Sequence, residues 1–442
     1  MERPGQWRPA RPEKNKPHRK GMMHAPTPAL VQARIDTAAI THNVRVLAAR
    51  IAPATLMSVV KADAYGHGLR PVVDACRAGG VRDFGVATPT EALALADHLG
   101  TDPDVRAERV LCWLYDVHSD LAECVARGIE LGIGTAAALP ALEAAARDAG
   151  REVRVHVKLD TGLGRNGFTP DQLEEFLAAM QAAQEGQAAR ESTAGARGGI
   201  RIVGVMTHFA VADEPDNPFT DTQLQVLDAG VERVREALRR ANGALGDPER
   251  LDVHAANSPA ALTRSPVPGT LARVGLATYG LSPFEGRTPA DLGLRPALSL
   301  HSSVLAVKDV PAGHGASYGL VYTAPQDTRF ALVGGGYADG IPRSASGRAE
   351  VVIHGRRYPQ VGRVAMDQIV VDLGPRPAAE DTAERENPPV AVGDEVVLLG
   401  DGTTGPSAEE WGTWAGTVNY EIVTRLGSRT GRRYVHSEEE IG

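Results

Sequence analysis

A lysine set directly behind an apolar run is the first residue of this chain whose placement points to chemistry. Lys61 ends the β-rich run 56–60 and opens the segment KADAYGHG, residues 61–68. An amine against an apolar floor has its ammonium form disfavoured, so it keeps the lone pair that covalent capture of a carbonyl compound needs. A strand-end lysine alone is an ordinary solvated side chain. Here Gly66 and Gly68 alternate with Tyr65 and His67, allowing a tight turn that brings backbone and ring close to a ligand. A second candidate is Asn257-Ser258-Pro259, with Ser258 as a cap and Pro259 at a first helical position. That pattern presents backbone N–H groups to an anion. A third, LDTGLGRNGF at 159–168, matches G-x-G-x-x-G through Gly162, Gly164 and Gly167. The dinucleotide reading fails, because the helix should start at Thr169-Pro170, beyond the glycines rather than on them.

These groups need elements to hold them. From residue 33 onward, short apolar runs alternate with Ala/Leu-rich helical stretches. The runs 56–60, 84–87, 110–114, 130–133, 153–159, 202–207, 251–254 and 271–274 give eight strands, with helices such as 90–99 and 140–149 between most of them. Eight β/α repeats read as a (β/α)8 TIM-like barrel. A doubly wound open sheet is the competing fold, since periodicity does not count closed strands. In a barrel, Lys61 falls at the C-terminal mouth, where active sites are built. Asn257-Ser258 and Gly275-Leu276 follow strands seven and eight, the loops that barrels use for phosphate. Beyond about residue 286 the runs 297–307, 329–333, 350–353, 369–373 and 395–399 are separated by Gly/Pro turns. They read as a mainly β domain with one late helix over 411–425. Segments 181–199 and 376–389 are polar and read as surface loops. The expected organisation is a basic, proline-broken tail over 1–30, a barrel over 31–285 and a β domain over 286–442. The tail reads as a disordered extension or an early start ahead of Met22 or Met23; an electrostatic arm for nucleic acid or lipid is the other reading.

Composition narrows the function. With 442 residues, 43% hydrophobic, the chain can bury a large core and exceeds one average domain. A net charge of −8 gives no general role in binding polyanions, and 5% aromatics argue against stacking platforms for sugars or single strands. No apolar run reaches a membrane span and no signal peptide opens the chain. Cys76, Cys112 and Cys124 lack CxxC spacing, so neither a disulfide framework nor a zinc knuckle is expected. The expectation is a soluble cytoplasmic α/β enzyme, without metal, nucleic acid or membrane.

The motifs, taken in order, are more specific. VVKADAYGHG (59–68) and LDTGLGRNGF (159–168) are followed by MTHFAVAD (206–213), HAANSPA (254–260) and ARVGLATYGLSP (272–283). ASYG (316–319), GYADGIPR (336–343), GRVAMDQ (362–368) and VNYEI (418–422) follow in the second domain. Over residues 33–425 the chain resembles the alanine racemases, enzymes dependent on pyridoxal 5′-phosphate (PLP) that join a barrel to a β domain.

The resemblance implies that Lys61 carries PLP covalently. It implies that Tyr65, Ser258, Gly275, Leu276 and Tyr420 hold the phosphate, with Asn257 beside them. Arg273 is implied to face the pyridine nitrogen. A guanidinium donates a hydrogen bond there but does not readily protonate the ring, which favours reprotonation over transamination. Racemisation needs proton exchange on both faces of Cα. The resemblance implies Lys61 for the D-enantiomer and Tyr318 for the L-enantiomer, with His208 and Arg273 behind the tyrosine and Arg165 at its phenol and at the substrate carboxylate. Tyr318, Met366 and Asp367 are implied to come from the partner in a head-to-tail homodimer. Asp213, Tyr337, Arg343, Arg363 and Tyr420 are implied to line the entrance, narrowed by Tyr318 and Tyr420 to small side chains. Lys158 matches a lysine carbamylated in some members, with a plain salt-bridging lysine the even alternative. Ala365 departs from the family's GRVCMDQ. The expected reaction interconverts L- and D-alanine and supplies D-alanine for peptidoglycan; a broad-specificity amino-acid racemase is the alternative. A non-catalytic PLP-binding barrel protein lacks the β domain, and a related decarboxylase lacks ASYG and GRVAMDQ.

Overall fold

The computed structural model describes residues 29–194, 199–375 and 389–436. All but the last two residues of the 1–30 tail, and nearly all of the 376–389 segment, lie outside the described residues.

The first element of the described residues is a strand, β1 (Gln32–Asp36), followed by eight parallel strands. They are β2 (Thr55–Val59), β3 (Asp83–Val86), β4 (Arg109–Cys112), β5 (Glu130–Ile133), β6 (Val153–Lys158), β7 (Ile200–Met206), β8 (Asp252–His254) and β9 (Leu271–Val274). Their order is β8-β7-β6-β5-β4-β3-β2-β9, and β2 pairs with β9 with Thr55 opposite Leu271. The β8/β9 seam is bridged by Thr270 N–H to Val253 O (2.7 Å) and Arg273 N–H to Ala256 O (2.9 Å). The sheet therefore closes into a barrel, as the β/α count predicts, and is not an open doubly wound sheet. Strands covered on both faces need no polar alternation: every residue of β3, β5 and β9 is buried.

The second sheet contains β10 (Leu298–Val310), β13 (Thr328–Gly334), β14 (Glu350–Ile353), β15 (Arg356–Val361), β16 (Gln368–Asp372), β17 (Glu395–Leu399) and β18 (Gly431–Val435). A small hairpin, β11 (Gly315–Ala316) with β12 (Tyr322–Thr323), precedes β13. The order β13-β16-β15-β14-β17-β10 closes on itself through β10–β13 pairing, and β1 and β18 extend it beyond β10.

Four expectations need correction. First, a barrel boundary at residue 31 places β1 with the barrel, yet it pairs with β10 and β18 in the second sheet. Its alternating burial, with Ala33 and Ile35 inward, suits a sheet with one covered face. Second, residues 181–194 are not loop, because the helix Pro170–Ala194 runs through them. The segment is rich in Ala, Gln, Glu and Arg, all strong helix formers. Third, the late helix is two, Ala408–Ala415 and Asn419–Thr424, divided at Gly416, whose φ of 68° ends the first in the left-handed region. Fourth, β15 and β18 were missed because RRYPQV and GRRYV carry paired arginines rather than an apolar alternation.

Helix Asn419–Thr424 docks on the barrel mouth. Asn419 Nδ2 donates to Ser282 O (2.7 Å) and Glu409 Oε1 (2.9 Å), and Arg432 Nε donates to Gly66 O (3.0 Å). At Gly66, with φ of 80°, a Cβ would collide with Val423 O, so glycine is required both by conformation and by this contact.

Candidate active site

At the C-terminal mouth of the barrel lies a cavity of about 570 Å³. Lys61, Tyr65, Arg165 and His208 line it, with Lys158 and Trp113. Asn257, Ser258, Arg273, Gly275 and Leu276 line the same cavity from the β8 and β9 sides, and Tyr420 reaches it from the second domain. Ten of the expected site residues thus converge. Tyr318, Met366 and Asp367 do not line it. Tyr318 is 71% exposed and Met366 51% exposed, while Asp367 accepts from Arg429 Nη1 (2.7 Å).

The turn that carries Lys61 is unusual. Ala62, Asp63, Ala64 and Tyr65 all have φ between 52° and 54°, a left-handed turn of non-glycine residues. Each such residue costs about 1–2 kcal/mol, so the surroundings must impose the shape. Glu91 Oε1 accepts from Ala62 N–H (2.7 Å), and Asp63 Oδ1 accepts from Leu69 N–H (2.8 Å). Glu91 also accepts from Thr88 N–H (3.1 Å) in the capping box of helix Pro89–Leu99, so one carboxylate fixes that helix start and the lysine turn together. The sequence shows the glycines after Tyr65 but not the left-handed turn before them, since alanine and aspartate give no such signal.

Burial, then the Arg165 guanidinium, lower the Lys61 pKa, against a smaller opposing pull from Glu91. The neutral amine is correspondingly easier to populate. Lys158 is pushed down to about 8 by burial, Arg165 and Arg273. His208 is pushed down to about 3 by burial and by Arg273, Arg165, Lys158 and Lys61. It is therefore a neutral hydrogen-bonding group, not a cation.

At the anion end the roles differ from the sequence reading in one detail. Asn257, not Ser258, caps helix Ser258–Thr263, its Oδ1 accepting from Ala260 N–H (3.2 Å). Ser258 Oγ accepts from Ala277 N–H (3.3 Å), tying the loop after β8 to the loop after β9, and its own O–H remains a donor. Gly275 leaves open a notch beside Tyr65: a Cβ there would meet the phenol oxygen. Tyr65 stacks on Tyr279 at 4.8 Å between centroids, and the Tyr279 hydroxyl donates to Val59 O (2.9 Å).

Arg273 is buried, and its pKa is lowered by burial to about 10. Its Nη1 donates to His254 O (2.7 Å) and to His254 Nδ1 (3.0 Å), and its Nη2 donates to Thr207 O (2.6 Å). Two N–H groups remain for a ligand. Sequence reasoning missed Trp113 as a lining residue. Its ring occupies space that a Cβ at Gly85 would fill, and its Cβ lies where one at Gly132 would press; a glycine inside each of two apolar strands was the available sign.

Buried histidines give the fold an acid limit. Burial holds His67 down to about 4, His208 to about 3 and His254 well below its ordinary value. The unfolded chain titrates near 6.5, so between those values it binds more protons than the folded one. Stability should therefore fall as pH drops below about 6.5, by about 1.4 kcal/mol per pH unit for each ring. Urea midpoints at pH 7.5, 6 and 5 check this, and a flat profile would show that the rings titrate normally.

A barrel mouth with a charge-suppressed lysine, lined by the loops after β8 and β9 and covered by a helix of the β domain, has the layout of a (β/α)8 enzyme. The chain matches the alanine racemase N-terminal domain over residues 35–283 and the alanine racemase C-terminal domain over 297–434. It belongs to the alanine racemase family. It is 44% identical over 410 residues to the alanine racemase of Streptomyces coelicolor, covering 92% of this chain and 96% of that one. To the Mycolicibacterium smegmatis alanine racemase it is 41% identical over 420 residues, covering 95% and 98%. The crystal structure of alanine racemase from D-cycloserine-producing Streptomyces lavendulae superposes with a TM-score of 0.79 at 43% identity, covering 94% and 99%. The alanine racemase of Bartonella henselae, described with covalently bound pyridoxal phosphate, superposes at 0.71 with 27% identity, covering 92% and 100%.

Proposed function

We propose that the protein is a PLP-dependent alanine racemase that interconverts L- and D-alanine. The observation that carries the reading is the convergence of Lys61, Tyr65, Ser258, Arg273 and Gly275 on one cavity. Their donor set fits PLP end to end. Lys61 offers a suppressed amine for the aldehyde; Tyr65, Ser258, Gly275, Leu276 and Tyr420 would hold the phosphate, with Asn257 fixing that helix start. Arg273 offers its spare N–H groups to the ring nitrogen. When bound, PLP supplies the electron-withdrawing ring that makes the substrate Cα proton removable.

Lys61 Nζ takes and returns that proton on one face of Cα, and its lowered pKa makes the neutral, proton-accepting amine easier to populate. The Tyr318 phenol does so on the other face. Arg165, beside Lys61, holds the substrate carboxylate and the phenol oxygen. Arg273 would hold the ring nitrogen through a spare N–H, and because a guanidinium does not readily give up its proton it would leave that nitrogen unprotonated, favouring simple return of the Cα proton. Trp113 and Tyr420 narrow the site and exclude water and long side chains.

Within one chain the second base is absent from the cavity. Tyr318 stands on the surface beside Leu320, 66% exposed, and Val321, 58% exposed. Contiguous apolar exposure of this kind marks an association surface. In our reading a second copy covers it, and Tyr318, Met366 and Asp367 of one subunit complete the site of the other. Three buried free thiols suit a reducing cytoplasm, where D-alanine would enter peptidoglycan synthesis. Among the described residues no helix is long and apolar enough to cross a membrane.

Chiral chromatography of L-alanine incubated with the PLP-loaded protein tests the reaction. The expected result is D-alanine rising to an equal mixture, with serine slower and lysine inert. Comparable turnover of lysine would favour the broad-specificity reading. Release of carbon dioxide without D-alanine would overturn both.

A further inference from the structure

The barrel interior beneath Arg273 holds a chain of buried polar groups that the reaction above does not use. Glu130 is the first residue of β5, His156 the fourth of β6, and His254 the last of β8. Glu130 Oε2 lies 2.8 Å from His156 Nε2; His156 Nδ1 lies 2.8 Å from His254 Nε2; His254 Nδ1 lies 3.0 Å from Arg273 Nη1. Glu130 and both rings are 2% exposed or less. The chain climbs from the closed end of the barrel to the cavity.

The two ends of this chain have opposite character. Glu130 is ionised: against its burial, the hydrogen bond from His156 and the Arg109 and Arg154 guanidiniums hold its carboxyl below the usual range. It can only accept. Arg273 can only donate. One proton arrangement satisfies every link: Arg273 donates to His254 Nδ1, His254 Nε2–H to His156 Nδ1, and His156 Nε2–H to Glu130. A charged or inverted imidazole at either position would set two donors against each other in a buried site, which is costly. The barrel also makes room for the pair. On the intervening strand β7 stands Gly204, and a Cβ there would overlap His156 Nδ1 and its ring. At the base, Arg154 Nη2 lies 2.8 Å from Glu130 Oε1, and Arg109 donates to Asp83 (2.8 Å) and Asp252.

We propose that Glu130, His156 and Gly204 are positioning residues for Arg273: a one-way relay that fixes His254 as the Nε2–H tautomer and so aims the guanidinium into the cavity. The inference rests on the reading that Arg273 faces the cofactor ring. Its functional consequence is that Arg273 presents its remaining N–H groups in one orientation, set from the opposite end of the barrel.

The test has two arms on the full-length, PLP-loaded protein. Nitrogen NMR with 15N-histidine, assigned with His156→Gln and His254→Gln, should show His156 and His254 neutral and both protonated on Nε2. An Nδ1–H signal at His254 overturns the relay, whatever reaction the protein performs. Gly204→Ala should displace His156 and lose the single His254 tautomer. It should lower kcat for alanine about tenfold or more, with KM within about twofold. Glu130→Gln, which can turn an amide N–H toward His156, should act in the same direction. Normal kcat in either folded variant despite a lost tautomer would overturn the positioning role. Absence of alanine turnover in the wild type, with the tautomers as stated, would count against the racemase reading and leave the relay standing.

Discussion

Mixing Lys61→Ala protein with Tyr318→Ala protein restores racemisation to about one quarter of the wild-type value per subunit, once subunits have exchanged. Each variant alone should be reduced at least about a thousandfold. On the proposed mechanism, Lys61→Ala removes both the cofactor's anchor and one base, and Tyr318→Ala removes the other. The recovery follows from where the two residues stand. Lys61 lines the cavity of its own barrel, whereas Tyr318 is exposed on the β domain and does not line it. In a dimer that shares sites, a mixed pair contains one cavity with both defects and one with neither. Random exchange makes half of all dimers mixed, and half of the sites in those are intact. Activity is read by D-alanine formation, and exchange is checked with differently tagged subunits. If exchange is complete and activity stays at the level of the single variants, Tyr318 serves the cavity of its own chain.

Much of the site was legible because its chemistry depends on residue type next to strand ends. Lys61 follows β2, Asn257 and Ser258 follow β8, and Gly275 follows β9. A barrel must bring those three places to one mouth. The β domain was less legible. Its strands β15 and β18 carry arginines that lie along a surface, and β1 lies in sequence beside the barrel but pairs with β10. Pairing between distant segments leaves no local trace in composition. The left-handed turn at 62–65 and the Glu130–His156–His254 chain were invisible for a related reason. Each exists because residues apart in sequence meet: Ala62 with Glu91 for the turn, His156 with His254 for the chain.

Gly275→Ala should weaken PLP binding about 10- to 100-fold while leaving the fold intact. Gly275 has φ of −107°, so backbone strain does not require glycine there. The cost comes from packing. The added methyl would collide with the Tyr65 hydroxyl and press on the ring carbon behind it at 2.9 Å. Tyr65 cannot retreat easily, because it is stacked on Tyr279, which packs in turn against His67 at 4.5 Å and is pinned through its hydroxyl to Val59 O. Overpacking of this kind costs about 1–3 kcal/mol, the equivalent of that loss of affinity. The phosphate end would bear it, since Tyr65 and the β9 loop form one wall of that notch. The absorbance of the lysine-bound cofactor during titration of the apoprotein gives Kd directly. At saturating PLP most of the kcat should return, because neither Lys61 nor Arg273 has moved. An unchanged Kd would mean that the notch beside Tyr65 is not where the phosphate sits. A restored Kd with kcat still lost would instead place Gly275 against the reacting end of the cofactor.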